Sequence, residues 1–184
     1  MKKETIFLYI VLFIGLLIGY KTIKLPYKGV IDVEILQNTE GIADLDQKRK
    51  ISGSHHITTD TIAFKRSRVL EHKRYGNLGY RSNFYIEFDV DMDVKRDGLY
   101  HFYIASDDGF RLFIDKKNVC EHPGDRPYTT TTCPIELTKG AHNLHLSYFQ
   151  GGGPLGIAAD YAYGGTKRYL VGKNSKFIEF KESK

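Results

Sequence analysis

The sequence has no tryptophan, two methionines, two cysteines and five prolines in 184 residues. It also lacks any concentrated charge of one sign. Lysine and arginine outnumber aspartate and glutamate by five. The excess is spread over Lys48-Arg49-Lys50, Lys65-Arg66, Lys73-Arg74, Lys116-Lys117 and Lys167-Arg168. No run reaches the roughly five or six like charges of a nucleic-acid arm, and acidic residues lie between the pairs. The pattern is that of a solvated surface, and nucleic acid is not an expected partner. A basic face of this kind can still meet anionic headgroups or acidic glycans.

Catalytic signatures are missing as well. There is no Gly-x-Ser-x-Gly, no His-Glu-x-x-His and no phosphate-binding loop. Two cysteines without a clustered histidine do not make a zinc site. Glu136 and Asp115 can be posed as a glycosidase pair, but nothing in the sequence sets their separation. The residues therefore point to a non-catalytic binding module.

One long hydrophobic run is present. Ile6 to Tyr20 carries no charge, Lys2 and Lys3 precede it, and Lys21 and Lys24 follow. It is shorter than the ~20 residues of a full membrane span. Thr5, Thr22, Ile23 and the stems of the flanking lysines extend it. Residues 1–24 are expected to form a signal anchor, a single transmembrane helix with its N-terminus inside. Residues 25–184 then form one domain on the extracytoplasmic side, periplasmic or extracellular. A cleaved signal peptide is the competing reading. It needs small residues in an A-x-A-like pattern, and Leu16 to Tyr20 offers only Gly19. An oxidising compartment favours a disulfide between Cys120 and Cys133; two separate thiols are the alternative.

What remains is rich in strand and turn formers. Tyrosine (13), phenylalanine (11) and glycine (18) are abundant. Phe84 to Val94 alternates without a break: Phe84, Ile86, Phe88, Val90, Met92 and Val94 on one face, Tyr85, Glu87, Asp89, Asp91 and Asp93 on the other. Period two of that length predicts a half-buried antiparallel strand. Further strands are expected at Val30–Leu36, Leu99–Ala105, Phe110–Asp115, Pro134–Leu137, Ala141–Phe149, Leu155–Tyr163 and Lys176–Phe180. Asp97-Gly98 predicts a hairpin turn after the long strand. Cys120 to Cys133 reads as a polar loop, and Gln37 to Thr61 as loops with one or two short strands. Short strands divided by turn signals make the fold class all-β, a sandwich or barrel.

Asp107-Asp108-Gly109 interrupts this ladder. Neighbouring strand residues point to opposite faces, so both carboxylates converge only where the backbone is distorted. Carboxylates brought together repel unless a cation lies between them, and hard oxygen ligands favour Ca²⁺. In isolation the tripeptide is also an ordinary turn.

The surrounding stretch, Gly98 to Asp115, together with Lys139-Gly140-Ala141-His142 and Leu144 to Gly152, resembles the protective-antigen-type (PA-fourteen) domain. That family takes its name from anthrax protective antigen and includes lectin domains of yeast flocculins and bacterial adhesins. The resemblance is specific over residues 83–161. It implies an antiparallel β-sandwich and a cis Asp107–Asp108 peptide bond with both carboxylates on calcium. It also implies a second calcium loop at Gln150-Gly151-Gly152-Gly153, where a side-chain amide and backbone carbonyls complete the shell. The metal set so implied is Asp107, Asp108, Gln150, Gly151 and Gly153. Sugar hydroxyls would take the open positions, with Asp107, Asp108, Gln150, Gly152 and Tyr128 forming the ligand set. The chain departs from the family in Lys116, where glycine is common, in its glycine-rich second loop and in having no tryptophan. Stacking on a sugar would fall to Tyr128, Tyr148, Tyr161 or Tyr163. The function implied is a membrane-anchored, envelope-facing, calcium-dependent lectin. The alternative is a sugar-free interaction or structural module that meets another envelope protein.

Overall fold

The computed structural model describes residues 29–182. The expected transmembrane helix over residues 1–24 lies outside them. Among the described residues, no helix is long and apolar enough to cross a membrane.

Fourteen strands are present in chain order: β1 (Ile31–Asn38), β2 (Ile51–Thr59), β3 (Ala63–Ser67), β4 (Glu71–His72), β5 (Gly76–Asn77), β6 (Phe84–Val94), β7 (Gly98–Asp107), β8 (Phe110–Ile114), β9 (Lys117–His122), β10 (Thr129–Leu137), β11 (Gly140–Gln150), β12 (Leu155–Tyr163), β13 (Tyr169–Leu170) and β14 (Ile178–Lys181). One sheet runs β2-β1-β6-β11-β8-β9, with β14 also on β6. The other runs β10-β7-β12-β13, with β3 also on β12. Strands β4 and β5 pair only with each other. The pairings in all three sheets are antiparallel.

The expected apolar faces fill the space between the two large sheets. Phe84, Ile86, Phe88, Val90, Met92 and Val94 of β6 are buried, as are Tyr100, Phe102 and Ile104 of β7, Leu144, Leu146 and Tyr148 of β11, and Ile157 and Tyr161 of β12. Burying one such aliphatic or aromatic side chain stabilises by roughly 1.5–3 kcal/mol. The sequence pattern thus fixes which face of each strand turns inward.

Four expectations need correction. Asp97-Gly98 closes no hairpin: β6 and β7 belong to different sheets, so the turn carries the chain across the sandwich. The crossing sets two strongly apolar faces opposite each other, a gain that a hairpin within one sheet would forgo. The stretch between the cysteines is no simple polar loop: Cys120 is in β9 and Cys133 in β10. Strand β10 lies at a sheet edge, which is where Thr129 to Thr132 and Pro134 are tolerated. Ile51–Thr59, read as loop with short strands, is the full-length edge strand β2. Finally, Tyr85 does not face solvent. It is buried with Phe149 beneath Ile42 and Leu45, and the Arg49 guanidinium lies 4.2 Å from its ring centre. The segment after β1 folds over the outer face there.

The expected disulfide Cys120–Cys133 is formed, with a Cα–Cα distance of 5.6 Å. It ties the edge strand of one sheet to the edge strand of the other.

The acidic outer stripe of β6 is neutralised across the strands. Asp89 meets His145 Nδ1 at 2.9 Å, Asp91 accepts from Asn143 Nδ2 at 2.9 Å, and Asp93 pairs with Lys95 at 2.7 Å. His145 also lies 3.2 Å from Glu87. Hydrogen bonds to Asp89 and then Glu87 push the imidazole up to about 9. The stripe is therefore held by a cross-strand ion pair at Asp89, a cross-strand hydrogen bond at Asp91 and a local ion pair at Asp93.

Candidate calcium and glycan site

Strands β6, β7 and β11 run between the two ends of the sandwich. Phe84, Asp107 and Gln150 lie at one end, and the site gathers there. The peptide bond between Asp107 and Asp108 is cis, as the family resemblance implies. Both side chains are buried, at 5% and 3% exposure. Burial of both carboxylates at a strand end is the feature a plain surface turn does not have.

Three neighbouring groups set the backbone of this turn. The Ser106 hydroxyl donates to the Asp108 carbonyl at 2.6 Å. Arg126 donates to Ser106 Oγ from Nη2 at 2.7 Å and to Thr131 Oγ1 from Nη1 at 2.8 Å, with its guanidinium 4.9 Å from the centre of the Phe110 ring. The buried Tyr148 hydroxyl donates to the Asp107 carbonyl and also lies 2.7 Å from Gln150 Oε1. Gly109 is required by packing. A Cβ there would lie 2.5 Å from the Phe149 ring and 2.7 Å from the His122 carbonyl oxygen.

The second loop closes on the first. The Gly151 N–H donates to Asp108 Oδ2 at 2.8 Å. A Cβ on Gly151 would stand 2.3 Å from the Ile42 carbonyl oxygen, so this position admits no larger residue without moving backbone. The Gly151 carbonyl accepts from the Asn83 N–H at 3.3 Å. Gln150 is placed differently from the expectation. Its amide is fully buried, and Nε2 donates to the Gly152 carbonyl at 2.7 Å and the Pro154 carbonyl at 3.1 Å. It braces the loop from behind. Gly153 is exposed with φ of +80°, a left-handed conformation that suits glycine.

A cavity of about 380 Å³ opens over the carboxylates, bordered by Asp107, Asp108 and Gly152 together with Arg66, Asp125 and Arg126. The last three were not expected. Arg66 lies in the stretch Thr61–Leu70, which has no clear periodicity, and Asp125 sits in Gly124-Asp125-Arg126-Pro127, which reads as an ordinary turn. Arg66 Nε lies 3.7 Å from Asp107 Oδ2. Tyr128 is partly exposed beside the opening. Its ring packs on Gly156, 3.0 Å from where a Cβ would be, and its ring centre lies 5.9 Å from the Arg66 guanidinium. Tyr148 and Tyr161 are buried in the core. Tyr163 stacks on Phe177 at 4.9 Å and contacts Asp97 at the opposite end.

The electrostatics are those of crowded acids. Burial pushes Asp108 up to about 7, reinforced by a hydrogen bond and like charge from Asp125 and opposed by the Gly151 N–H. Asp107 is also raised by burial, while Arg66 and the backbone N–H of Tyr128 pull it down. Among the described residues, no three His, Cys, Asp or Glu side chains are grouped so that they could hold a metal. A cation here would rely on the aspartate pair supplemented by backbone and ligand oxygens.

The Asp115 and Glu136 pair lies elsewhere, on a groove of about 640 Å³ at the opposite end. Both Asp115 oxygens are engaged, Oδ1 by the Asn143 N–H at 2.9 Å and Oδ2 by His142 Nδ1 at 2.6 Å. A carboxylate bonded on both oxygens is not a free general base.

The comparison with curated proteins returned no match. Among solved structures, the PA14 domain of the antifreeze protein MpAFP is similar with a TM-score of 0.64 at 12% identity, covering 88% of this chain and 96% of that one. A PA14 sugar-binding domain from an RTX adhesin has a TM-score of 0.61 at 14% identity, covering 78% and 95%. The A domain of epithelial adhesin 9 from Candida glabrata, in complex with Galb1-3GlcNAc, has a TM-score of 0.54 at 11% identity, covering 84% and 91%. At these identities the likeness speaks to the fold alone. The family model described as PA14 domain matches residues 73–174, more than half the chain. The chain belongs to the PA14 domain family.

Proposed function

We propose that this chain is a non-catalytic, lectin-like module of the cell envelope, anchored by residues 1–24, that binds glycan through calcium held at Asp107 and Asp108. The observation that carries this reading is the burial of two adjacent carboxylates at the mouth of an open cavity. Among the described residues, Arg66 is the cation within ion-pair distance, 3.7 Å from Asp107 and largely exposed; Arg126 also borders the cavity, with its N–H groups on Ser106 and Thr131. Carboxylates raised by burial and by the like charge of Asp125 are the donor set that a hard divalent cation relieves. Asp107 and Asp108 would hold the ion, with backbone oxygens of the Gly151–Gly153 loop nearby. Bound calcium would offer open coordination positions to vicinal sugar hydroxyls. Tyr128, at the rim, is the aromatic surface placed to stack on a sugar ring. The sugar-binding domain of the RTX adhesin and the Candida glabrata adhesin domain in complex with Galb1-3GlcNAc support the glycan class.

A second reading keeps the fold without sugar. Gln150 favours it, since its Nε2 is engaged by the Gly152 and Pro154 carbonyls while its Oε1 is buried and accepts from the Tyr148 hydroxyl rather than facing the opening. In that case the same end would meet another protein of the envelope.

Thermal unfolding in chelator and then in millimolar calcium separates them. A ligand present at a hundred times its Kd stabilises by ~2.7 kcal/mol. For a domain of this size that is several degrees. The gain should vanish in the Asp107→Asn, Asp108→Asn double variant. Equal melting temperatures with and without calcium in the native sequence would move the assignment to the sugar-free module.

A further inference from the structure

A separate cavity, of about 610 Å³, shares no lining residue with the one over the aspartate pair. It is lined by Lys65, Lys73, Arg74 and Lys173, with Leu170 among them and Asp60 as its one acid. The cations come from separate parts of the chain: Lys65 from β3, Lys73 and Arg74 from the turn after β4, and Lys173 from beyond β13. Folding therefore assembles a charge cluster that the sequence disperses. Among the described residues, no carboxylate lies within ion-pair distance of Lys65, Lys73 or Lys173. Two large exposed side chains accompany the cluster, Leu170 at 38% and Tyr75 at 37%.

The groove is also where the chain comes into the domain. The Gly29 N–H donates to Thr58 Oγ1 at 2.8 Å, and a Cβ on Gly29 would lie 2.4 Å from the Thr59 backbone. Asp60 and Thr61, the next two residues, line the groove. Gly172 packs on the Asp60 carbonyl and on Ile31, and the Tyr75 hydroxyl donates to the Thr58 carbonyl at 2.9 Å. Between residue 24 and Gly29 the chain can reach at most about 18 Å. A domain tethered that closely must present this flank to whatever holds residues 1–24.

We propose that this groove docks anionic phospholipid headgroups of the membrane in which the chain is anchored. The assignment rests on the anchor reading given above. Lys65, Lys73 and Lys173 supply the charge for phosphate, while Leu170 and the amphipathic Tyr75 suit the headgroup boundary. Such docking would fix the domain's orientation on the membrane.

The full chain in detergent can be placed in vesicles of phosphatidylcholine alone, or of phosphatidylcholine with about a third phosphatidylglycerol. Two readouts separate the anchor from the groove. Flotation in 1 M salt reports the anchor. Acylation rates of individual lysines report the groove, with Lys116 and Lys117, on the opposite edge of the sandwich, as controls. The expected result is flotation with both lipids, and labelling of Lys65, Lys73 and Lys173 slowed several-fold in anionic vesicles only. High salt should restore their labelling. Flotation with equal labelling in both lipids overturns the groove and leaves the anchor standing. Failure to float in high salt overturns the anchor and, with it, this assignment. Protection by a soluble acidic polysaccharide on neutral vesicles, without protection by phosphatidylglycerol, overturns the lipid in favour of an acidic glycan.

Discussion

The backbone N–H of Gly151 donates to Asp108 Oδ2 across 2.8 Å, joining the loop after β11 to the end of β7. That bond exists because glycine lets the loop run beneath Ile42, whose carbonyl oxygen would lie 2.3 Å from a Cβ. Gly151→Ala should therefore displace the loop and destabilise the domain by roughly 1–3 kcal/mol. It should also blunt the calcium response. Gly152→Ala is the control, since a Cβ there meets nothing within 4 Å. Chemical denaturation of the two variants measures the difference, and equal midpoints would contradict this account of the loop.

Asp108 gives a pH signature. Its folded value is pushed to about 7 against an ordinary 3.8, chiefly by burial. The folded state then binds the proton more tightly than the unfolded chain. That stabilisation is complete below about pH 4 and is lost as pH rises through 7. In chelator, the native sequence should lose stability between pH 4 and 7 relative to Asp108→Asn. Calcium bound at Asp108, as proposed, would compete with the same proton, so its affinity should climb over that window. Melting curves for the two proteins at unit pH steps test the sign; parallel curves would remove the buried carboxylate from the argument.

His145 works in a different window. Asp89 and Glu87 raise it from 6.5 to about 9. Its stabilisation is complete below pH 6.5 and is lost as pH rises through 9. His145→Asn should cost on the order of 2 kcal/mol near pH 6, after allowance for solvent screening. The cost should shrink toward pH 10. Denaturation midpoints of the variant and parent at both pH values check it.

Reduction of Cys120–Cys133 should lower stability without unmaking the sandwich. In the chain-entropy model a loop of this length is worth roughly 3 kcal/mol. The Cys120→Ser, Cys133→Ser variant should match the reduced native protein in midpoint. A much larger loss in the variant would mean that the packing of the buried Cys133 matters more than the crosslink.

The core was legible in the sequence because period-two alternation names the inward residues directly. Phe84 to Val94 and Leu144 to Tyr148 needed nothing else. The aspartate pair was legible through the motif around it. Sheet membership was not, because Asp97-Gly98 carries the same local signal whether a turn closes a hairpin or crosses between sheets. Nor were Arg66 and Asp125: each reaches the opening through tertiary folding, and neither stands near the motif in the chain. The burial of Tyr85 depended on Ile42 and Leu45, which sit in a polar stretch without periodicity. Gln150 illustrates a finer limit. Its position at the loop was legible, but the direction of its amide depends on which carbonyls fold back toward it.

Ile42 touches the second loop from well ahead of residue 73, where the family match begins. Strands β1, β2 and β3 also precede that boundary. The stretch by which the family is recognised is thus shorter than the unit that can fold. Anyone transplanting this module into another protein, or grafting its binding end, must carry β1, β2 and β3 along with the recognised stretch. A graft begun at the recognised boundary would leave β6 without β1 on one side and Gly151 without the surface that shapes it.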